Sequence, residues 1–142
     1  MPFEITRVDV WAGEIEDRPG ALAEKFETLQ RAGANLDFAI VRPSRGLPGT
    51  GVLFVAPLLG PQQIKTAEEI KLRQAMTMHV LRIAGPDRPG QGAGIARVLA
   101  EAGLNISGMS AAAIEERCLF YLRFETEADV KRAAQVLAAK LG

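Results

Sequence analysis

Apolar and polar residues alternate with a period of two at the start of the chain and then change to a helical period. Residues 3–11 alternate imperfectly, which predicts a strand with one buried face. Leu22, Phe26 and Leu29 follow at helical spacing, and Gly33 stands where a left-handed C-terminal cap is expected. The chain is therefore expected to begin with a strand and an amphipathic helix.

The same two periods predict the remaining elements. Further strands are predicted at residues 36–41, 52–56, 78–84, 106–112 and 119–124, and further helices from near Pro61, at residues 93–102 and after Thr126. Thr126 and Asp129 resemble a capping box at the start of the last helix. Each half of the chain thus carries strands and helices in the order of a β-α-β-β-α-β unit.

The fourth strand of each unit is left open by this pattern. Residues 76–84 follow the second helix and are placed to close the first sheet, but they are also needed to start the second sheet. No strand follows Leu141. Either the units share or exchange strands, or residues 3–11 and 78–84 each start their own unit and leave it with three strands.

Two short motifs recur at an offset of 70 residues, from position 17 to 87 and from position 32 to 102. Asp17-Arg18-Pro19-Gly20 returns as Asp87-Arg88-Pro89-Gly90, and Ala32-Gly33-Ala34-Asn35-Leu36 returns as Ala102-Gly103-Leu104-Asn105-Ile106. Each repeat therefore has an acidic turn, a helix and an Asn. This spacing predicts two domains, residues 1–72 and 73–142, each small enough to be marginal alone.

Composition and charge exclude several classes of protein. The hydrophobic fraction of 48% is that of an ordinary globular chain, and 17 basic against 17 acidic residues give no net charge to attract nucleic acid or anionic lipid. The N-terminus has no secretory signal, no apolar run has membrane-spanning length, and Cys118 is the single cysteine. We therefore expect a cytoplasmic protein with no nucleic-acid or membrane partner.

The sequence offers no catalytic set. It has one His and one Cys, and it lacks paired metal ligands and the motifs of nucleophilic or phosphate-binding enzymes. His79 lies in a predicted strand and Cys118 beside an apolar run, so a structural role is expected for both. We expect no enzyme activity, no catalytic residues, no metal and no cofactor.

The repeated turn offers the groups that an α-amino acid needs. Gly at a helix entry lets the backbone approach a ligand, and the first helical amides are donors suited to a carboxylate. Asp17 and Asp87 can accept from an ammonium group, and Asn35 and Asn105 offer a donor and an acceptor. Taken singly, each residue also has a structural explanation, in which the Asp caps the helix and the Asn belongs to a turn.

Together, the two copies of Asp-Arg-Pro-Gly and Ala-Gly-x-Asn resemble the ACT domain, a ligand-sensing module of many amino-acid metabolic enzymes. The resemblance implies an α+β fold of two ferredoxin-like β-α-β-β-α-β units, with antiparallel sheets and helices on one face. It also implies a small-molecule effector, commonly an amino acid, bound where such domains pair. The ligand-binding residues it implies are Asp17, Gly20, Ala21, Leu22, Asn35, Asp87, Gly90, Gln91, Gly92 and Asn105.

The resemblance predicts a regulatory protein that binds an amino acid and acts by associating with itself, as a homo-oligomer, or with a regulated enzyme. The alternative is a structural module that assembles without any ligand, which the uncharged strand at residues 106–111 favours. The two copies differ at Leu22 and Gly92. Gly92 either weakens the start of its helix or makes room for a ligand side chain, so the pattern leaves open which turn binds.

Overall fold

The computed structural model describes residues 3–141, which form two compact units. We call residues 9–75 the first unit, and residues 3–8 together with 76–141 the second unit. In chain order, the elements are β1 (Glu4–Val8), β2 (Trp11–Glu16), α1 (Ala21–Arg31), β3 (Phe38–Pro43), β4 (Thr50–Ala56), α2 (Gly60–Glu69), β5 (Arg73–Gln74), β6 (His79–Pro86), α3 (Gln91–Glu101), β7 (Gly108–Ile114), β8 (Arg117–Phe124) and α4 (Glu127–Leu141).

Each unit contains one four-stranded antiparallel sheet and two helices. The strand order is β3-β4-β2-β5 in the first unit and β1-β6-β8-β7 in the second unit. The predicted fold class, two ferredoxin-like α+β units with antiparallel sheets, is therefore confirmed.

The two helices of each unit pack on one face of its sheet, because alternate strand residues supply the apolar side of that face. In the second unit, Ile83 pairs with Phe120 and Leu81 with Leu122, and these four side chains share the core with α3 and α4. The buried helix residues of this core are Ile95, Leu99, Val130, Ala133 and Leu137. The first unit buries Trp11, Ile15, Ala21, Leu29, Leu53, Val55, Leu58, Ala67 and Leu72 in the same way.

The prediction of a single strand over residues 3–11 is wrong. The segment contains β1 and the start of β2, and these two strands lie in different sheets. β1 pairs with β6, from Glu4 opposite Ala84 to Val8 opposite Val80, whereas β2 pairs with β4. The alternation of apolar and polar residues indicates which face of a strand is buried, but it does not indicate which strand pairs with it.

This pairing also divides the chain differently from the expected boundary after residue 72. Residues 3–8 group with the second repeat, and residues 73–75 group with the first. The cause is the ladder between β1 and β6, which supplies the fourth strand of the second unit. Of the alternatives left open by the sequence, the structure therefore shows strand exchange.

The fourth strand of the first unit is short. β5 contains two residues and pairs only with Trp11 and Ala12 of β2. Residues 79–86 form β6 and pair with β1 and β8, so they do not close the first sheet.

The remaining predicted strands and helices are present, with ends shifted by a few residues. Thr126 Oγ1 accepts from the Asp129 amide at 3.0 Å, which confirms the predicted N-cap. No helix within residues 3–141 is both long and apolar enough to cross a bilayer.

An ion-pair cluster joins β1 to the start of α4. Arg7 donates from Nη1 and Nη2 to the two carboxylate oxygens of Glu127, at 2.9 and 2.7 Å. The Nδ1 atom of His79 lies 3.1 Å from Glu127 Oε2. The hydrogen bonds from Arg7 lower the pKa of Glu127 from its ordinary value of 4.5 to about 2. His79 therefore has structural partners in this cluster.

The cluster predicts a specific dependence of stability on pH. Because the folded-state pKa of Glu127 is depressed, its stabilising contribution is present above about pH 4.5 and is lost as the pH falls toward 2. Glu127→Gln should therefore show a smaller decrease in melting temperature between pH 5 and pH 2.5 than the natural chain, measured by circular dichroism. Glu125→Gln is the control, since Glu125 has no ion pair within residues 3–141 and should follow the natural profile.

Candidate functional site

The two repeated turns have the same backbone conformation. Gly20 precedes α1 with φ 90° and ψ −19°, and Gly90 precedes α3 with φ 89° and ψ 0°. These values lie in the left-handed region, which costs a residue with a Cβ roughly 1–2 kcal/mol and costs Gly nothing comparable. We call residues 17–20 the Gly20 turn and residues 87–90 the Gly90 turn.

The hydrogen bonds at the two helix entries also match. The amides of Ala21 and Gln91 donate to the carbonyls of Arg18 and Arg88, both at 3.3 Å. The next helical bonds run to the glycine carbonyls, from Glu24 at 3.0 Å and from Gly94 at 2.9 Å. The amides between these two bonded positions are among those at a helix start that have no partner within the helix. No side chain caps either helix. Each turn therefore presents free backbone donors.

Asp17 and Asp87 do not act as helix caps. Each is held through its main chain, by a bond from the Asp17 amide to the Gly49 carbonyl at 2.9 Å and from the Asp87 amide to the Glu116 carbonyl at 2.8 Å. Both side chains are exposed. The hairpin that follows the helix thus positions the main chain of each Asp and leaves its carboxylate facing solvent.

Asn35 and Asn105 lie at the other ends of the helices. α1 and α3 each have 11 residues, which is about 16 Å of helix, and each Asn follows the C-terminal end. The strand register agrees, because Glu16 pairs with Thr50 at one end of β4 while Phe38 pairs with Ala56 at the other. Within one unit, the structure therefore does not bring the Asp and the Asn of a repeat together.

The Gly20 turn differs from the Gly90 turn in the charged side chains around it. Arg18 donates from Nη2 to Glu24 at 2.6 Å and also forms an ion pair through Nε with Glu16. The hydrogen bond to Glu24, followed by that to Glu16, raises the pKa of Arg18 above its ordinary value. α1 thus carries a carboxylate in its first turn, where the helix dipole would otherwise favour a bound anion.

The Gly90 turn lacks these carboxylates. Pro86 and Gly94 stand where the first repeat has Glu16 and Glu24, and the first turn of α3 contains no acidic residue. Arg88 has no ion-pair partner in the described part of the chain. A Cβ at Gly92 would lie 3.5 Å from the ring of Phe120, an ordinary contact, so the backbone here has space for a methyl group.

Two clefts among the described residues of the first unit lie near the two ends of α1. The cleft beside the Gly20 turn has a volume of about 470 Å³ and is bounded mainly by charged residues, Glu14, Glu16, Arg18, Glu24, Lys25 and Lys71. The groove beside Asn35 has a volume of about 430 Å³ and is lined by Phe26, Leu29, Gln30, Ala34, Leu36, Asp37, Phe38 and Ala39. Sequence reasoning did not predict this apolar groove, although Phe26 and Phe38 have only Ala96 and Gly108 as counterparts in the second repeat.

Cys118 has the environment of a structural thiol. It is 5% exposed, and its Sγ lies 3.3 Å from the Pro86 carbonyl, to which it donates. Burial, with a smaller effect from Asp87, raises the pKa of the thiol, which opposes formation of a reactive thiolate. Within residues 3–141, no group of three or more His, Cys, Asp or Glu side chains is arranged to hold a metal ion.

The fold and the doubled turn define a class, small ferredoxin-like α+β proteins built from two related units. The ACT domain family model matches residues 79–140, which lie within the second unit and contain the Gly90 turn and Asn105. Residues 79–140 therefore match the ACT domain, and both units have the ACT type of ferredoxin-like fold. No curated protein sequence matches the chain.

Solved structures of similar fold cover nearly the whole chain. Protein BT0572 from Bacteroides thetaiotaomicron has 20% identity and a TM-score of 0.77, over 96% of this chain and 90% of that one. The regulatory subunit of aspartate kinase from Thermus thermophilus has 17% identity and a TM-score of 0.63, over 100% and 98%. Aspartokinase III of E. coli, in complex with lysine and aspartate, has 15% identity and a TM-score of 0.55, over 98% of this chain and 32% of that one. At these identities the likeness establishes the fold.

The left-handed conformation at Gly90 predicts unequal effects of two neighbouring substitutions. Gly90→Ala should lower the free energy of unfolding by about 1–2 kcal/mol, because a Cβ is strained at φ 89°. Gly92→Ala is the matched control within the helix and should stabilise the chain by up to about 1 kcal/mol. Urea denaturation measures both values, and equal effects would show that the turn does not require the left-handed backbone.

Proposed function

We propose that this chain is a non-catalytic regulatory protein that binds an amino acid at its ACT units and acts by associating with itself or with a regulated enzyme. The recurrence of one turn geometry with free helix-entry amides supports this proposal most directly. No side chain caps either helix, so the helix-entry amides are available to a ligand.

The groups around each turn complement an α-amino acid. The amides after Gly20 and Gly90 suit a carboxylate, because helix-entry donors carry partial positive charge. The exposed carboxylates of Asp17 and Asp87 suit an ammonium group. Aspartokinase III of E. coli, whose fold is similar, has been solved in complex with two amino acids, lysine and aspartate.

The placement of Asn35 and Asn105 supports a role for association. A free amino acid is too short to reach from the Asp of a repeat to its Asn, which lies beyond about 16 Å of helix. We infer that a complete site takes the turn of one molecule and the Asn-bearing end of a second molecule. Ligand binding and self-association would then stabilise each other.

Of the two turns, the Gly90 turn is better suited to a ligand carboxylate, because Glu16 and Glu24 have no counterpart there. We therefore expect Asp87→Ala to weaken binding of the effector about tenfold or more, as loss of a hydrogen bond to a charged group would. Asp17→Ala is the matched control and should have a smaller effect. Isothermal titration with the twenty common amino acids, followed by the variants, measures these affinities.

Two results would count against the proposal. The first is the absence of binding heat for every amino acid in the natural chain at concentrations up to several millimolar. The second is an effector whose affinity is unchanged by both Asp87→Ala and Asp17→Ala, which would place binding away from the turns.

A second candidate function, assembly without a ligand, is favoured by β7. This strand lies at the edge of its sheet, all its residues from Met109 to Ile114 are exposed, and it contains no charged residue or Pro. Such an edge offers unpaired main-chain groups to another strand. Met109 is 62% and Ile114 71% exposed, so pairing would also bury apolar surface.

Ala111→Lys should therefore reduce self-association, because a charge on an edge strand opposes pairing with a second copy. Sedimentation velocity with and without the effector measures the change. Ala138→Lys, on the exposed side of α4, is the control and should leave the sedimentation coefficient unchanged. Assembly that persists without amino acids but is lost in Ala111→Lys would favour the structural role.

A further inference from the structure

Two arginine side chains lie on the face of the second sheet that points away from α3 and α4. Their neighbours in the chain, Leu81 and Leu122, belong to the core of the second unit. Because side chains alternate along a strand, Arg82 of β6 and Arg123 of β8 project from the other side of the sheet. We call this side, which carries Arg82 and Arg123, the outer face.

The strand register makes the two arginines neighbours. Arg82 lies opposite Tyr121, which is two residues before Arg123 in β8. The two arginines are therefore diagonal neighbours on adjacent strands, and such residues have Cα atoms about 7–8 Å apart. This separation lets two long side chains of the same face contact one small molecule.

Neither guanidinium group has an anionic partner among residues 3–141. The ion pairs in this part of the chain involve other side chains. The Nε atoms of Arg82 and Arg123 are buried and form no hydrogen bond within the described residues. A buried donor without an acceptor destabilises the fold, so its occurrence at two neighbouring arginines favours a functional role over a structural one.

The surroundings of the two arginines favour a bound anion. Val80 is 3% exposed and Tyr121 is 8% exposed, so buried side chains flank both guanidinium groups. Charges interact more strongly where solvent is partly excluded. Among the strand residues of the outer face, only Glu4 is acidic, and its carboxylate lies 3.6 Å from Arg117.

Hydroxyl groups border the arginines on both sides. Thr6 of β1 lies opposite Arg82. Ser110 of β7 lies diagonal to Arg123, which pairs with Gly108. Because a hydroxyl can donate to the oxygen atoms of an anion, both neighbours add donors to those of the guanidinium groups.

We propose that Arg82 and Arg123 bind a small anion with two negative charges, carried by one phosphate group or by two carboxylates. Guanidinium groups bind both kinds of oxyanion through paired hydrogen bonds, and two guanidinium groups balance two negative charges. This site is separate from the proposed amino-acid site at the Gly90 turn. Arg82 lies about 13 Å along β6 from Pro86, where the strand ends before that turn, and on the face away from α3.

Isothermal titration of the full chain with inorganic phosphate, succinate and acetate, at constant ionic strength, tests the site. We expect phosphate or succinate to bind about tenfold or more tightly than acetate, because only a dianion balances both arginines. Tighter binding of phosphate would assign a phosphate group, and tighter binding of succinate would assign two carboxylates.

Two variants and a matched control test the residues. Arg82→Gln and Arg123→Gln should each weaken binding of the dianion about tenfold or more, as loss of a charged hydrogen bond would. Arg117→Gln is the control, because Arg117 shares the strand and the face but pairs with Glu4. It should leave the affinity within about twofold.

Melting temperatures distinguish a ligand site from a structural role. In chloride, Arg82→Met should melt at a higher temperature than the natural chain, because it removes a buried donor that has no partner within residues 3–141. The preferred dianion should raise the melting temperature of the natural chain and not that of Arg82→Met. A lower melting temperature of Arg82→Met in chloride would instead show a structural role and overturn the proposal.

Amide nuclear magnetic resonance of the natural chain gives a measurement that depends on no variant. The dianion should shift signals of residues 80–82 and 121–123. Shifts confined to other residues, equal binding of acetate, or unchanged affinity in both Gln variants would overturn the site.

Discussion

The ladder between β1 and β6 is the interaction on which the organisation of this chain depends. It places the first strand of the chain in the second unit, opposite Val80 to Ala84, and the whole first unit is therefore inserted between two strands of one sheet. Phe3 and Ile5 pack against the second core, and the ion pairs of Arg7 join β1 to α4. Loss of β1 would expose the edge of β6 and remove apolar contacts from that core, so the second unit depends on residues that precede the first.

Local chemistry could be predicted from the sequence, and long-range pairing could not. The Gly20 and Gly90 turns and the capped start of α4 have the predicted form, because their geometry is determined by a few adjacent residues. The exchange of β1 depends on contacts between residues separated by more than 70 positions, which alternation does not encode. The apolar groove was missed for a related reason, since Phe26 and Phe38 belong to different elements that only the fold brings together.

The two turns show how one backbone geometry can carry different electrostatics. In the Gly20 turn, Arg18 is held between Glu16 and Glu24, so its charge is balanced within the protein. In the Gly90 turn, Arg88 has no such partner among residues 3–141, and α3 begins without a carboxylate. An anion at the second turn would meet an unopposed helix dipole and an available cation, whereas an anion at the first would meet Glu24. The two turns therefore share one backbone shape and differ in the charged side chains around it.

The two ends of α1 have different surroundings, charged at the start of the helix and apolar at its end. Charged residues bound the cleft at the helix start, and apolar side chains line the groove at the helix end. Because about 16 Å of helix separates them, one small ligand cannot use both ends of the same helix. In the proposed function, the turn and the Asn-bearing end of a complete site come from two molecules. In this arrangement the ligand contacts both molecules, so ligand binding stabilises their association. The amino acid would then regulate assembly.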